Sequence, residues 1–191
     1  MKTLFVRIPV LILFLFVSIS IAQKNKQALP VAPQMPVNEE SKLISYSAVV
    51  ELKAAPDELY KRGINFFSSN YKNTADVLKK QDEANGEIEG VARFKIRNPA
   101  DKDGVESEAG MVSYSINLKL KDGKYKYEFT KINWKQTSYY GIEKWMDKSS
   151  PSYKSNYDYY LIQVDEQIKK LVEELTKAMQ KPSVQSKKAD W

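Results

Sequence analysis

The sequence predicts an α+β fold: a curved antiparallel sheet of about five strands, with a helix after the first strand and a long C-terminal helix packed on one face. Three observations lead to this prediction. Apolar and polar residues alternate in four segments, which is the period of strands with one buried face. Two other segments repeat apolar residues at three- and four-residue steps, which is typical of amphipathic helices. Their order along the chain is strand, helix, a meander of strands, helix.

The strand predictions depend on alternation that places the apolar members of each segment on one face of a sheet. A sheet with one solvated face is usually antiparallel. Turn residues support hairpins at Asn85-Gly86 and at Asp122-Gly123. We expect a shorter strand near Ala75–Asp82 to pair across the first of these turns. The four alternating segments are residues 44–53, 87–97, 112–121 and 124–130.

The two helices are predicted to cover the apolar face of this sheet. The first begins at Pro56, because proline suits the first position of a helix and the acidic Asp57 and Glu58 favour its positive end. The second runs from about Tyr157 to Lys181, directly before Pro182. Its apolar stripe consists of Leu161, Val164, Ile168, Leu171, Leu175 and Ala178.

Residues 1–22 predict a cleavable secretory signal. A short positive region precedes an apolar run that ends near Ile21, and Ser20 and Ala22 place small residues at the two positions that signal peptidase reads. The rival interpretation is a membrane anchor, which needs about 20 consecutive apolar residues. This run is shorter and contains a proline and two serines, so we expect cleavage after Ala22. No cysteine follows it, so we expect no lipidation, no stable membrane span after cleavage and a periplasmic or secreted product.

The rest of the chain divides into three predicted parts. Residues 23–41 contain three prolines among polar residues and predict a linker. Residues 42–181 contain the predicted strands and helices and form one domain, and residues 182–191 predict a disordered polar tail. The formal net charge of +6 is only weak evidence for a polyanionic partner.

The composition excludes several chemistries. The chain has no cysteine and no histidine, so disulfides, thiol nucleophiles, Ser-His-Asp triads and histidine-based zinc sites are impossible. A lysine-assisted serine or a carboxylate pair stays formally open, but adjacent acidic residues do not face one another on a helix or strand. No glycine-rich phosphate loop occurs, and the acidic segment 101–104 lacks the later ligands of a calcium loop. We therefore expect a non-enzymatic protein without cofactor or metal.

Three stretches of the sequence resemble a known family. Residues 44–51, 57–62 and 121–127 are similar to domain-of-unknown-function family 4468, whose members are exported proteins of Gram-negative bacteria with a TBP-like fold. The resemblance covers roughly residues 43–131, and the closing helix matches by pattern only. It implies the TBP-like fold and no catalytic residue, because the family has no established activity. An exported protein meets no chromosomal DNA, so the fold's name implies no nucleic-acid partner.

The uncovered face of the predicted sheet is a candidate binding surface. Basic side chains on adjacent strands can form an anion-binding patch for lipid head groups or acidic polysaccharide. The alternative is a solvated face whose charges maintain solubility, with glutamates interspersed. The candidate residues are Arg93, Lys95, Lys119 and Lys126.

Residues 134–160 are a second candidate because they are rich in tyrosine and tryptophan. Rings with polar tips suit sugar or peptide surfaces. The alternative is a long loop whose rings pack on the edge of the domain before the second helix. The candidate residues are Trp134, Tyr139, Tyr140 and Trp145.

These features favour a binding or interaction domain of the cell envelope. Its partner is expected to be an envelope protein, a glycan or an anionic lipid head group that contacts the aromatic segment or the basic face. The alternative is a carrier of a small apolar ligand between helix and sheet. The large predicted core residues Phe66, Phe67 and Phe129 favour a filled interior over a cavity.

The export signal is directly testable. When the full chain is expressed in a Gram-negative host, intact mass spectrometry of the periplasmic or secreted product should show a chain that begins at Gln23. The matched variant Ala22→Arg should stay uncleaved, because a large charged residue does not fit the peptidase. A wild-type chain that keeps residues 1–22 and stays in the membrane would support the anchor instead.

Overall fold

A computed structural model describes residues 30–135 and 138–183 of the protein. The predicted signal at 1–22, the first part of the predicted linker and residues 184–191 of the predicted tail lie outside the described residues. Signal cleavage and the disordered tail therefore remain predictions. None of the helices within the described ranges combines the length and the apolar character that crossing a membrane requires.

The described chain forms one antiparallel sheet with helices on one face, which confirms the predicted α+β class. The strand order is β1-β5-β4-β3-β2, and β6 pairs with the far part of β5, beyond β1. A five-residue 3-10 helix, Ile142–Met146, follows β6. The elements are β1 Tyr46–Glu51, α1 Pro56–Asn70, α2 Thr74–Val77, β2 Leu78–Asp82, β3 Glu87–Arg97, β4 Glu108–Lys121, β5 Lys124–Lys135, β6 Tyr139–Gly141 and α3 Asn156–Gln180.

The expected strand at Ala75–Asp82 is wrong in its first part. Residues up to Val77 form the one-turn helix α2, and the strand begins at Leu78. Polar contacts within the segment explain the turn: the Asn73 side chain donates to Asp76 Oδ2 at 2.6 Å, and Lys79 Nζ donates to the Asp76 carbonyl oxygen at 2.6 Å. Such local hydrogen bonds compete with strand pairing. β2 is consequently only five residues long beside the eleven residues of β3.

The helices α1 and α3 cover one face of the sheet, called here the covered face. They also contact each other, since Arg62 of α1 donates to the Met179 carbonyl oxygen of α3 at 2.7 Å. The side chains between helices and sheet are fully buried and large, which fills the position where a carrier would hold its ligand. They include Leu59, Phe66, Phe67, Ile88, Ile116, Phe129, Val164 and Ile168.

The described part of the predicted linker contributes to this core. Met35 is buried, and its sulfur lies 4.0 Å from the Tyr46 hydroxyl. The same hydroxyl donates to Asp165 Oδ1 of α3 at 2.8 Å, and burial together with this carboxylate raises the pKa of Tyr46. Val37 forms an isolated antiparallel bridge with Ile44. The chain before β1 thus packs on Tyr46, the residue whose hydroxyl joins β1 to α3.

Close packing of α1 on β3 depends on Gly90. A Cβ atom at this position would lie 2.6 Å from Cε1 of the buried Phe67 ring, a distance that real Cβ atoms do not show. We therefore expect Gly90→Ala to lower the free energy of unfolding by about 1–3 kcal/mol, measured by urea denaturation. The neighbouring exposed Val91 gives the control, and Val91→Ala should change stability by less than about 0.5 kcal/mol. Equal stability of Gly90→Ala and wild type would contradict this packing.

Candidate partner-binding site

The basic residues of the uncovered face form two separate groups. Lys119 of β4 lies directly opposite Lys126 of β5, near the hairpin that joins these strands. Arg93 and Lys95 lie farther along β3, opposite Ser113 and Met111 of β4. The structure therefore does not unite the four predicted basic residues in a single patch.

Acidic side chains offset part of the charge at the lysine group. Glu87 lies 2.5 Å from Lys80 Nζ and 3.4 Å from Lys119 Nζ, and these hydrogen bonds hold the pKa of the Glu87 carboxyl below its usual value. Glu128 accepts hydrogen bonds from Ser45 and Asn117 on the same face. Lys95 is also paired, with Glu108 at 2.7 Å. Among the residues that the structure describes, Arg93 has no such carboxylate partner.

Most rings of the predicted aromatic segment pack inside the domain. Trp134 and Trp145 are only 7% and 2% exposed, and their ring centroids lie 5.3 Å apart, edge to face. Tyr157 of α3 stacks on Trp145 at 5.4 Å. Trp134 Nε1 donates to the Ala109 carbonyl oxygen, so its polar atom is also satisfied inside the protein. Through these two tryptophans the end of β5 and the 3-10 helix pack against the start of α3.

Tyr139 and Tyr140 are the exposed members of the segment, at 60% and 45%. They are consecutive residues of the short strand β6, so their side chains point to opposite faces of the sheet. Tyr140 lies opposite Trp134 on the covered side. Tyr139 lies opposite Lys135 on the uncovered side, with the lysine ammonium 5.7 Å from its ring centroid.

A cleft at the outer edge of β3 joins one residue from each predicted group. We call it the Tyr139–Arg93 cleft, and its volume is about 450 Å³. The exposed Tyr139 ring and the Arg93 side chain both line it, together with Ser113 of β4. The remaining lining residues are Tyr71, Asp76, Val77, Lys79, Val91 and Ala92.

A smaller cleft lies on the other side of β6. Its volume is about 240 Å³, and Tyr140 forms part of its wall beside the edges of the packed tryptophans. Lys144 and Lys154 stand at its rim. The predicted residues Trp134, Tyr140 and Trp145 are thus brought together here, whereas Tyr139 faces the Tyr139–Arg93 cleft.

Two tyrosine hydroxyls lie close together beside the Tyr139–Arg93 cleft. The hydroxyls of Tyr71 and Tyr114 lie 3.1 Å apart. Burial raises the pKa of Tyr114 to about 12 and also raises the pKa of Tyr71, so both stay protonated near neutral pH. Within the described ranges, no group of three or more acidic side chains is placed to hold a metal ion. The arrangement offers recognition groups: a ring face, a guanidinium and hydroxyls.

Sequence reasoning missed several residues of this cleft. Tyr71, Lys79 and Ser113 line it from three different elements or turns. The alternation in β4 marks Ser113 as a residue of the uncovered face, but nothing local indicates that Tyr139 lies near it. That proximity depends on β6 folding back beside β5, which the irregular sequence after Lys135 does not predict.

The antiparallel sheet with α1 and α3 on one face defines an α+β domain, and the comparisons with known proteins assign it to the TBP-like class. Residues 46–135 match the model of a family described as "Domain of unknown function (DUF4468) with TBP-like fold". The part of the chain from β1 to the end of β5 therefore matches the model of this family, which confirms the resemblance predicted from the sequence.

Solved structures agree with this fold. The chain is similar to a DUF4468 family protein from Bacteroides ovatus ATCC 8483, with a TM-score of 0.61, 19% identity, and coverage of 78% of this chain and 92% of that chain. It is also similar to a TBP-like protein from Parabacteroides distasonis ATCC 8503, with a TM-score of 0.55, 14% identity, and coverage of 73% and 94%. At these identities the likeness shows the fold alone. The search of curated proteins found no match.

The division between packed and exposed rings can be tested by stability. Trp145→Ala removes a buried ring and should lower the free energy of unfolding by about 3–5 kcal/mol. Tyr139→Ala removes an exposed ring and should change it by less than about 0.5 kcal/mol. Urea denaturation of the two variants measures both. A large loss for Tyr139→Ala, or none for Trp145→Ala, would contradict the described packing.

Proposed function

We propose that the protein is an exported, non-enzymatic binding domain of the bacterial cell envelope, whose partner occupies the Tyr139–Arg93 cleft. The observation that carries the proposal is the juxtaposition of an exposed aromatic ring with a cationic side chain that has no carboxylate partner among the described residues. Exposed tyrosines and arginines are enriched at protein–protein contacts, where a flat ring and a planar charged group bind at little entropic cost.

The cleft's chemistry defines the ligand class. Arg93 presents a guanidinium that suits a carboxylate, phosphate or sulfate group, and Tyr139 presents a flat face to an apolar or sugar surface. The ligand therefore carries an anionic group beside a flat or apolar group. An envelope protein, an acidic glycan and an anionic lipid head group all meet this description.

Two further arguments support the proposal. The predicted signal at 1–22 directs the domain to the periplasm or the medium, where these ligand classes occur. The absence of histidine and cysteine and the raised pKa of the buried tyrosines disfavour catalysis at the cleft. No observation favours the carrier alternative, since Phe66, Phe67 and Phe129 pack where its ligand would lie.

Paired variants test the cleft. The mature protein is immobilised and exposed to envelope extract from its own host, and bound protein, glycan and lipid are quantified. Arg93→Ala/Tyr139→Ala should reduce the specific partner at least about tenfold, because anchor residues of this kind contribute more than about 1 kcal/mol each. The matched control is Lys126→Ala/Tyr140→Ala, which removes the same kinds of group on surfaces outside the cleft and should bind as wild type.

Binding at the cleft should also weaken as salt rises, because the guanidinium contact is partly exposed. The proposal is contradicted if both double variants bind the same partners as wild type. It is also contradicted if only the control variant loses its partner, which would assign binding to the smaller cleft or the lysine group.

A further inference from the structure

The outer edge of β3 is open over much of its length. β2 pairs with β3 only between Glu87 and Gly90, whereas β3 continues to Arg97. No described residue forms a strand beside residues 91–96 of β3 on that side. A strand edge of this kind presents unpaired backbone groups to solvent.

The side chain of Gln163 shows which backbone groups face outward. Its Oε1 accepts from the Arg97 amide at 2.9 Å and its Nε2 donates to the Arg97 carbonyl oxygen at 2.9 Å, in the manner of a neighbouring strand. In an antiparallel ladder, alternate residues direct both backbone groups to the same side. Val91, Arg93 and Lys95 share this parity, so their amides and carbonyls point to the open edge.

Space is available on both sides of this edge. The Tyr139–Arg93 cleft includes Val91 and Arg93 in its lining, beside Ser113 and Tyr139 of the uncovered face. A second groove of about 310 Å³ lies between the edge and α3, and its floor includes the half-buried Phe94. The open stretch between Gly90 and Gln163 accommodates a strand of about five residues, or about 17 Å.

The charges around the open edge of β3 favour an acidic segment over a second copy of this chain as the added strand. Four cationic side chains, Lys79, Arg93, Lys95 and Lys170, line the two spaces, against Asp76 and Glu166 in the same lining and Glu108, which pairs with Lys95, beside it. The cationic side chains are thus still in excess. A second copy pairing two-fold about Arg93 would place like charges directly opposite each other, which destabilises a strand pair. Acidic side chains at alternate positions of an added strand would instead lie opposite Arg93 and Lys95.

We propose that the open edge of β3 binds an extended acidic segment of a partner protein as an additional antiparallel strand. The backbone groups of Val91, Arg93 and Lys95 supply the hydrogen bonds. Acidic side chains of the segment face Arg93 and Lys95, and the intervening apolar side chains face the groove beside Phe94. This inference rests on the proposed function, since the Tyr139–Arg93 cleft flanks the same edge, and it narrows the partner to a protein.

The experiment uses the mature protein and three capped seven-residue peptides. The first peptide alternates valine with glutamate, and the second alternates valine with lysine. The third is the glutamate peptide with a methyl group on every second backbone nitrogen. The methylated nitrogens are those whose amides would pair with β3. Affinity is measured by fluorescence anisotropy, and amide hydrogen exchange is measured by NMR. The glutamate peptide should bind, the lysine peptide should bind at least about tenfold more weakly, and the methylated peptide should not bind.

Two readouts locate the strand. In the complex, exchange of the Val91, Arg93 and Lys95 amides should slow at least about tenfold, while exchange at Lys119 and Lys126 is unchanged. Val91→Pro removes one outward amide at an edge position that tolerates proline and should abolish binding, whereas Val49→Ala, at an exposed valine of β1, should bind as wild type. The methylated peptide gives the same test on the unaltered protein if Val91→Pro does not fold.

Three outcomes would overturn the inference. The first is that the glutamate peptide does not bind, and the second is that it binds without slowing exchange at these amides. The third is that sedimentation shows a dimer of the free protein that Val91→Pro dissociates. This last result would assign the edge to a second copy of the chain. If one of these occurs while Arg93→Ala/Tyr139→Ala still loses its envelope partner, strand addition fails and the proposed function stands. If the strand forms but the double variant keeps every partner, the proposed function fails separately.

Discussion

Packing of α1 and α3 against one face of the sheet is the interaction on which the rest of the structure depends. The strands β3, β4 and β5 direct mostly apolar residues toward the helices, and burial of this surface is the main favourable contribution to folding. The contact is close because Gly63 of α1 and Gly90 of β3 bring backbone and side chains within van der Waals distance. Since both helices lie on the same face, the opposite face and one edge of the sheet are left to solvent, and the candidate site lies there.

The candidate site results from two pairs of neighbouring strands that differ in length. β2 is shorter than β3 because local hydrogen bonds around Asp76 form a helical turn before it, so the outer edge of β3 is open beyond Gly90. β5 is longer than β1, and its far end pairs with β6, which carries Tyr139 to the uncovered face. The cleft between these two irregular regions therefore combines an exposed ring, a guanidinium and unpaired backbone groups.

The sequence predicts the regular elements well, because period-two and helical repeats report burial directly. The start of α1, both ends of α3 and the covered face of β3, β4 and β5 agree with the structure to within about a turn. It fails where a positive φ angle or a local hydrogen bond interrupts the pattern. Lys131, with φ of 51°, lies where the β4–β5 pairing shifts register and β5 continues past the predicted strand end. Of the eight predicted site residues, Arg93 and Tyr139 share the larger cleft, while Trp134 and Trp145 are mainly core.

The central claim is that β3 has an open edge beside the Tyr139–Arg93 cleft, and amide hydrogen exchange of the free protein tests it most directly. Ala92, Phe94 and Ile96 direct their amides to β4 and should exchange slowly, whereas Val91, Arg93 and Lys95 should exchange at least about tenfold faster. This alternation along one strand is the expected result. Uniform slow exchange from residue 91 to residue 96 would mean that the edge is covered, and it would contradict the account.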